Sequence, residues 1–178
     1  ETEETHDLLD NLLKWTKSQT GALHVAFQDF ELNDVLPGVI DIFKMIAESK
    51  HITLNLDLGV ENLDVRADKD MFNTIIRNFM SNAIKFSHEN SSIDIYVNHI
   101  DDFAKISIRD HGVGISQDRI DTLFSAGTST AGTRNEEGSG LGLQLCKDFA
   151  VKIGGDVMVE SVKGEGSTFS VLIPIVKK

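Results

Sequence analysis

The hydrophobic period of this sequence changes from helical to alternating near residue 90. Residues 69–88 repeat apolar side chains at the spacing of one helix face. Directly afterwards, apolar and polar residues alternate in 93–97 and in 104–108, and Asp101 and Asp102 separate the two runs. This change predicts a long amphipathic helix followed by an antiparallel hairpin, whose apolar face needs a helix to cover it.

The remaining apolar patterns complete a fold of mixed helices and strands. The spacing predicts further helices over 6–21, from Asn33 or Asp34 to about Lys50, over 118–124 and over 141–153. Pro37 is tolerable in the second of these helices only within its first turn. Extended segments are predicted over 24–32, 52–58, 63–67, 156–162 and 166–173. Hairpins in place of uniform βαβ crossovers predict an α+β fold of two layers, a mixed, mostly antiparallel sheet covered on one face by helices.

The composition limits the classes of function. With 178 residues, 40% of them hydrophobic, the chain can bury one principal core. The formal net charge of -11 argues against nucleic-acid binding, which relies on clustered Lys and Arg. Cys146 is the only cysteine, which excludes an internal disulfide and favours a small apolar core residue. Because no run of about 18 apolar residues occurs, we expect a cytoplasmic location, which leaves open a membrane anchor elsewhere in a longer protein.

The predicted helix of residues 69–88 carries an unusual polar face. Asn78, Asn82 and Lys85 follow one another at i, i+4 and i+7, so they project from one side of the helix. Polar residues at this spacing alone are more often an ordinary solvated face. Two carboxamides and an ammonium in line are nevertheless unusual on a helix that packs against a core. The apolar residues expected to face elsewhere are Phe79, Ala83 and Phe86.

A glycine-rich turn follows the second hairpin strand. The sequence DHGVG, residues 110–114, places Asp110 at a strand end, and Gly112 and Gly114 let the backbone approach a ligand closely. A buried carboxylate at that position can accept a hydrogen bond from an exocyclic amine. Alone, an Asp-x-Gly-x-Gly sequence is most often only a turn.

Two more glycine-rich segments lie nearer the C-terminus. GSGLGL, residues 138–143, brings three glycines to the start of a predicted helix, where unpaired backbone N–H groups form an anion site. It matches neither the P-loop nor the dinucleotide-binding fingerprint. GEGSTF, residues 164–169, makes a tight turn into the last strand, from which Thr168 can point its hydroxyl inward; alone, it is a hairpin turn. No His/Cys cluster has metal-ligand spacing, which disfavours zinc chemistry.

In this order, the four segments resemble the N, G1, G2 and closing G boxes of the histidine-kinase branch of the GHKL ATPases. The domain of that family is the Bergerat-type α/β sandwich. The resemblance runs from about Phe30 to Pro174. Four ordered boxes are specific where each alone is weak. The resemblance implies a domain that binds ATP and Mg²⁺.

The resemblance also implies a role for each matched residue. Asn82 would coordinate the Mg²⁺ that bridges the phosphates, Asn78 would assist it directly or through water, and Lys85 would contact phosphate. Asp110 would receive the adenine amino group. The other residues that the resemblance assigns to the nucleotide are Phe86, Gly112, Gly114, Ile115 and Thr168 around the adenine, Phe124 at the F-box position, and Gly138, Gly140, Leu141, Gly142 and Leu143 at the phosphates. The segment from Gly127 to Gly138 resembles the mobile ATP lid, and its unranked candidates for the γ-phosphate are Thr128, Ser129, Thr130 and Arg134.

The first residue of the N box separates the branches of the family. Gyrase-like topoisomerases, heat-shock chaperones and mismatch-repair ATPases carry a glutamate there, which activates water, whereas this chain has Asn78. An amide is no general base, which fits phosphoryl transfer to another nucleophile. The resemblance therefore implies a protein-histidine kinase of two-component signal transduction, which relays phosphate to a response-regulator receiver domain. The alternative is a nucleotide-binding module without kinase activity, either a conformational ATPase or a degenerate sensor, although intact boxes argue against degeneracy.

The N-terminal segment has a separate interpretation. Residues 1–22 resemble the end of the second dimerisation helix of these kinases, and residues 23–178 resemble the catalytic domain. HDLLD, which begins at His6, superficially resembles an H box, but Asp10 stands where Thr or Asn is usual. The distance from His6 to Gly21 is also too short for an αα-hairpin. We therefore expect an exposed helix histidine at His6 and the phosphoacceptor upstream, on a dimerisation domain that forms a homodimer. The chain by itself is expected to bind nucleotide without phosphorylating itself.

Overall fold

The computed structural model describes residues 2–59, 62–125 and 140–177. The helices in these ranges are α1 (Thr2–Gln19), α2 (Leu32–Asp41), α3 (Lys44–Ser49), α4 (Lys69–Phe86), α5 (Gln117–Ile120) and α6 (Gly142–Lys152). The strands are β1 (Phe27–Glu31), β2 (Thr53–Asp57), β3 (Asp64–Asp68), β4 (Ser92–Ile100), β5 (Phe103–Asp110), β6 (Asp156–Val162) and β7 (Gly166–Pro174).

Five of the strands form one sheet in the order β2-β4-β5-β7-β6. Strand β2 is parallel to β4, and the other neighbours are antiparallel. The predicted hairpin is confirmed as β4 and β5, joined by Asp101 and Asp102, with Asp101 at a φ of 52°. The α+β fold with a mixed, mostly antiparallel sheet is therefore confirmed. Strands β1 and β3 pair with each other in a separate two-stranded sheet, which the sequence did not predict.

The core lies between one face of the five-stranded sheet and the helices α4 and α6. The Phe79 ring of α4 packs against the Phe169 ring of β7, with their centroids 5.5 Å apart. On α6, Cys146 is fully buried, and its Sγ lies 3.9 Å from the Ile75 carbonyl oxygen. Because burial raises the pKa of the Cys146 thiol, it stays protonated. Cys146 is thus the small core residue that the sequence predicted.

Helix α4 begins where the sequence predicted, because Asp68 is its N-cap. The Asp68 Oδ1 accepts hydrogen bonds from the backbone N–H groups of Asp70 and Met71, at 3.0 and 3.1 Å. Its Oδ2 accepts from the Ala26 N–H at 2.8 Å. The same carboxylate therefore starts α4 and ties it to the segment that leads into β1.

The helix predicted from Asn33 or Asp34 to Lys50 is wrong in two respects. The segment forms two helices, α2 and α3, and Pro37 lies inside α2 rather than in its first turn. A proline has no N–H group, so it withholds a hydrogen bond from the preceding turn and weakens the helix. Between the two helices, the Phe43 N–H donates to the Ile40 carbonyl oxygen at 3.0 Å, and the Phe43 side chain is buried in the core.

Helix α1 packs against α6 and α4 of the domain that follows it. The Gln19 Nε2 donates to the Asp148 Oδ2 of α6 at 3.0 Å, and the Lys14 Nζ donates to the Thr74 Oγ1 of α4 at 3.4 Å. Trp15 packs against the core. None of the helices in the described ranges combines the length and the apolar content needed to span a bilayer.

Candidate functional site

Helix α4 carries a line of polar side chains along its length. Asn78, Asn82 and Lys85 are all half-buried, whereas Phe79 and Ala83 are buried in the core. This arrangement confirms the polar face that the sequence predicted. At 1.5 Å per residue, the helix separates Asn78 from its last residue by about 12 Å. The two ends of this line contact different parts of the chain.

Phe86 differs from Phe79 and Ala83, the other two residues predicted to face away from the polar line, because it is not buried in the core. Phe86 is half-buried, and the Lys85 Nζ lies 5.0 Å from the centroid of its ring. The negative face of an aromatic ring attracts an ammonium at this distance, which holds the two side chains together. Phe86 therefore lies beside the polar face, at the C-terminal end of α4.

Asp110, the last residue of β5, lies near that end of α4. Asp110 is 3% exposed. Its Oδ1 accepts hydrogen bonds from the backbone N–H groups of Gly112 and Ser167, at 3.0 and 3.2 Å. Both of these hydrogen bonds end on Oδ1, and no donor among the described residues reaches Oδ2. One oxygen of a buried carboxylate is thus fixed by the protein, and the other remains able to accept from a ligand.

The electrostatic environment of Asp110 has two opposing parts. Burial raises the pKa of its carboxyl group to about 6, and the two backbone N–H groups and the histidines His111 and His88 act in the lowering direction. The group is therefore mostly ionised at neutral pH, because its pKa lies about one unit below pH 7. A buried carboxylate with this pKa can accept a hydrogen bond from a ligand at neutral pH, and it loses this capacity when the pH falls below about 6.

The glycines after Asp110 permit backbone contacts that no other residue allows. A Cβ on Gly112 would lie 1.9 Å from the Phe86 carbonyl oxygen, and a Cβ on Gly114 would lie 2.0 Å from the Val162 carbonyl oxygen. Gly114 also has a φ of 64°. The Val113 N–H donates to the same Phe86 oxygen at 3.2 Å. The loop is thereby fastened to α4 on one side and to the end of β6 on the other.

A pair of serines joins this loop to the turn between β6 and β7. The Ser161 Oγ accepts from the Ile115 N–H at 2.8 Å and lies 2.9 Å from the Gly166 carbonyl oxygen, to which it donates. It also lies 2.7 Å from the Ser167 Oγ. The sequence predicted Ile115 at this site but neither serine. Asp110, Ile115, Ser161 and Ser167 form one hydrogen-bonded group.

The prediction that Thr168 points inward is wrong, and Ser167 takes that place. In the strand register, Thr168 stands opposite the exposed Arg109 on β5 and opposite the exposed Glu160 on β6. Because side chains alternate along a strand, Thr168 lies on the face of the sheet opposite to Asp110. Ser167 shares the inner face with the buried Phe169. Counting back two residues from Phe169 along the strand would have selected Ser167 from the sequence.

At the other end of the polar line, Asn78 meets the N-terminus of α6. The Asn78 Nδ2 donates to the Thr74 carbonyl oxygen at 2.8 Å. A Cβ on Gly142 would lie 2.4 Å from the Asn78 Oδ1. Helix α6 starts at Gly142, and its N-cap residue, Leu141, supplies no side-chain hydrogen bond. The Asn78 amide therefore lies against the first residue of α6, a helix whose N-cap residue supplies no side-chain hydrogen bond.

The structure also places the other residues that the sequence selected near α6. Gly140 has a φ of 70°, and Leu143 and Phe124 are half-buried and pack against the core. Phe124 lies in turns after α5, which ends at Ile120, so the helix predicted over 118–124 is shorter than expected. Six of the residues that the sequence selected lie outside the described ranges: Gly127, Thr128, Ser129, Thr130, Arg134 and Gly138.

The oxygen atoms near Asn78 suit a hard cation that brings other ligands with it. The described residues contain no group of three His, Cys, Asp or Glu side chains that could hold a metal ion. The carboxamides of Asn78 and Asn82 supply neutral oxygen donors on one helix face. Mg²⁺ keeps several waters and takes phosphate oxygens as ligands, so a few protein oxygens are enough for it. These residues fit Mg²⁺ bound together with a polyphosphate.

The comparison with protein families agrees with this geometry. A family model described as "Histidine kinase-, DNA gyrase B-, and HSP90-like ATPase" matches residues 67–177. The chain belongs to this ATPase family. The matched range contains both ends of the polar line, since it includes α4, the Asp110 loop and α6. It does not include α1.

The proteins that are similar to this chain in sequence or structure include a sensor protein and a histidine kinase. "Sensor protein EvgS" of Escherichia coli (strain K12) is 33% identical over 173 residues, which cover 94% of this chain and 14% of EvgS. The catalytic domain of the histidine kinase ThkA has a TM-score of 0.74 and 26% identity, over 84% of this chain and 97% of that domain. Full-length ShkA, solved in complex with AMPPNP, has a TM-score of 0.85 at 24% identity, over 97% of this chain and 36% of ShkA. The chain thus spans a small part of the length of EvgS.

Proposed function

We propose that this chain is the ATP-binding catalytic domain of a two-component sensor histidine kinase. In this proposal it binds Mg·ATP and transfers the γ-phosphate to a histidine on an upstream dimerisation domain, for relay to an aspartate of a response-regulator receiver domain. The observation that carries the proposal is the pair of complementary ends on α4. Asp110 offers a buried acceptor at one end, and the start of α6, whose N-cap residue makes no side-chain hydrogen bond, lies against Asn78 at the other.

The end of the site at Asp110 suits an adenine base. Its Oδ2 would accept the exocyclic amine, while Oδ1 stays bonded to Gly112 and Ser167. Phe86 would lie against the ring, and Ile115 would line the pocket. We assign the polar contact from β7 to Ser167 in place of Thr168, because only Ser167 lies on the face of Asp110.

The end of the site at Asn78 suits the phosphates. The first-turn N–H groups of α6, which begins at Gly142, would bind phosphate oxygens through the positive end of the helix dipole. Lys85 would contact phosphate as a cation. Asn82, assisted by Asn78, would hold Mg²⁺, which when bound neutralises charge on the phosphates. The separation of about 12 Å along α4 accommodates the ribose between the base and the phosphates.

Asn78 favours transfer over hydrolysis. Its carboxamide nitrogen donates to the Thr74 carbonyl oxygen, so the side chain is held in place and has no basic atom to activate water. Phosphoryl transfer then depends on positioning and charge neutralisation. The histidine-kinase name of ThkA supports this branch of the family.

Helix α1 would belong to the dimerisation domain. Its Leu9, Leu12 and Leu13 are 52%, 41% and 58% exposed, while Trp15 packs against the domain. An exposed apolar stripe of this kind is typical of a helix that pairs with other helices, which supports a homodimer of the whole protein. His6 is exposed on the same helix, and we propose that it is not the phosphoacceptor. The reaction would take place in the cytoplasm.

Labelled ATP tests this proposal. We expect the whole protein that contains this chain, given Mg·ATP, to form acid-labile phosphohistidine, and we expect the 178-residue chain to bind ATP without becoming phosphorylated. A His6→Ala variant of the whole protein should be phosphorylated like the unmodified protein. Absence of phosphohistidine in the whole protein would overturn the kinase assignment, and rapid release of ADP without an acceptor would indicate an ATPase instead.

A further inference from the structure

Lys50 is a buried lysine at the end of α3, far along the chain from every residue assigned to the nucleotide. Only 2% of the surface of Lys50 is exposed. An ammonium removed from water needs strong hydrogen-bond acceptors, because desolvation of an unpaired charge is very unfavourable. The acceptors of Lys50 therefore indicate what this residue does.

The Lys50 ammonium binds the C-terminal end of α4. Its Nζ donates to the carbonyl oxygens of Ile84 and Lys85, at 2.9 and 3.1 Å. The last carbonyls of a helix have no partner within the helix, and the negative end of the helix dipole attracts a cation. Lys50 satisfies both requirements at once, from an element outside the helix.

All four terminal carbonyls of α4 have a donor. The Ala83 oxygen accepts from the Ser87 N–H at 3.1 Å, and the Phe86 oxygen accepts from the Val113 N–H at 3.2 Å. Lys50 supplies the donors for the two carbonyls between them. The last turn of α4 is thus held from one side by Lys50 and from the other by the loop that follows Asp110.

We propose that Lys50 is a positioning residue for nucleotide binding: it fixes the last turn of α4, and thereby Lys85, Phe86 and the Asp110 loop, in the geometry that receives the nucleotide. This inference rests on the proposed function. The end of α4 and the loop after Asp110 are in direct contact: the Gly112 backbone lies so close to the Phe86 carbonyl oxygen that a Cβ on Gly112 would collide with it. A displacement of that oxygen moves the backbone of Gly112, whose N–H bonds to Asp110. Lys50 acts on the nucleotide only through these groups.

Backbone contacts of Lys50 reinforce the same assignment. Its N–H donates to the Ala47 carbonyl at the end of α3, and its carbonyl accepts from the Asn90 N–H at 3.4 Å, in the turn between α4 and β4. The residue therefore connects α3 with the last turn of α4 and with the turn that follows it. Lys44, on the same helix, differs: it is exposed and pairs with Asp41 at 2.7 Å, which makes it a matched control.

The test uses the 178-residue chain with Lys50→Met, which keeps the length of the side chain but removes its charge and donors. We expect the affinity for a non-hydrolysable ATP analogue with Mg²⁺, measured by calorimetry, to fall about tenfold, since small misplacements of binding groups are enough to lose this much. Lys50→Arg should restore most of the affinity, and Lys44→Met should leave it unchanged. If Lys50→Met does not fold, Lys50→Gln, which keeps two N–H donors without the charge, should show a smaller loss.

Amide hydrogen exchange without nucleotide separates positioning from general stability. In Lys50→Met we expect faster exchange at Ser87 and Val113, with protection retained in β5 and β7. Uniformly faster exchange, or unchanged affinity in a folded Lys50→Met, overturns the inference. Failure of the unmodified chain to bind the analogue would overturn the proposed function and the nucleotide role of Lys50 together, whereas local loss of protection in the variant would still identify Lys50 as the anchor of α4.

Discussion

The two ends of α4 are built in different ways. At the Asp110 end, the backbone of Gly112 lies against the Phe86 carbonyl oxygen, and Asp110 already accepts two N–H groups. At the Asn78 end, the N-cap residue of α6 supplies no side-chain hydrogen bond, and a Cβ added to Gly142 would meet a side-chain oxygen. One end is fixed by backbone contacts, and the other is bordered by a side chain. Changes at the first should therefore affect folding and base recognition, and changes at the second should affect phosphate and metal binding alone.

The largest effect is expected for Gly112→Ala. The added Cβ would lie 1.9 Å from the Phe86 carbonyl oxygen and 3.0 Å from the Ser87 Cα, and backbone atoms cannot move away as a side chain can. We expect the free energy of unfolding to fall by about 3 kcal/mol in urea denaturation, as for strongly overpacked sites. Gly38→Ala, whose Cβ would meet nothing within 4 Å, is the control and should not lower stability. Wild-type stability of Gly112→Ala would show that this end is not fixed by its backbone.

Asp110→Asn should weaken ATP binding without unfolding the chain. The amide oxygen can still accept from Gly112 and Ser167, but the position of Oδ2 then holds an NH2 group, a donor that cannot accept from the adenine amine. We expect a loss of about 1 to 3 kcal/mol of binding free energy in calorimetric titration. Asp118→Asn, on the exposed side of α5, should bind like the unmodified chain. Unchanged affinity in a folded Asp110→Asn would refute the role of Asp110.

The affinity for ATP should depend on pH through Asp110. Because burial raises the pKa of its carboxyl group to about 6, acidification below that value protonates the acceptor. We expect the affinity to fall about tenfold between pH 7 and pH 5, and the fall to be absent in Asp110→Asn. The effect on stability has the opposite sign. A folded-state pKa above the ordinary 3.8 makes the contribution of Asp110 to stability greatest below about pH 4 and lost as the pH rises through 6.

Asn82→Ala tests the other end of α4. Asn82 is half-buried, so its removal should change the free energy of unfolding by less than about 1 kcal/mol. We expect ATP to bind equally well with and without Mg²⁺ in this variant, whereas Mg²⁺ should strengthen binding to the unmodified chain. Calorimetry with and without EDTA measures the difference. Retained dependence on Mg²⁺ would move the metal site away from Asn82.

Gly142→Ala should have the smallest effect and completes the comparison with Gly112→Ala. Its Cβ would also be close to another atom, at 2.4 Å, but that atom is the Oδ1 of the Asn78 side chain, which can move by giving up its hydrogen bond to the Thr74 carbonyl oxygen. We expect a change in unfolding free energy of less than about 1 kcal/mol and a loss of ATP affinity of about threefold, because Asn78 is displaced. A loss of stability equal to that of Gly112→Ala would remove the distinction between the two ends.

The sequence predicted those parts of the site that depend on local pattern. The alternation in β5 places Asp110 on the same face as the buried Ile108, and the helical spacing of Asn78, Asn82 and Lys85 requires one polar face. These relations are set within one helix or one strand. The face on which each of these residues lies therefore does not depend on how the helix or strand packs against the rest of the chain.

The parts that the sequence did not predict depend on contacts between distant segments. The choice between Ser167 and Thr168 is a question of strand register, and a shift of one residue reverses the face. The contact between Asn78 and Gly142 joins two helices that the sequence treats separately. Likewise, no local pattern shows that Lys50 reaches the end of α4. Tertiary packing decides all three.

The central claim is that one ligand, Mg·ATP, occupies both ends of α4. It is tested most directly by nuclear magnetic resonance titration of the 178-residue chain with a non-hydrolysable ATP analogue and Mg²⁺. The amide signals of Gly112, Ile115 and Ser167 and those of Gly142 and Leu143 should shift together and fit a single dissociation constant. Shifts at only one of these ends, or none at saturating nucleotide, would contradict the claim.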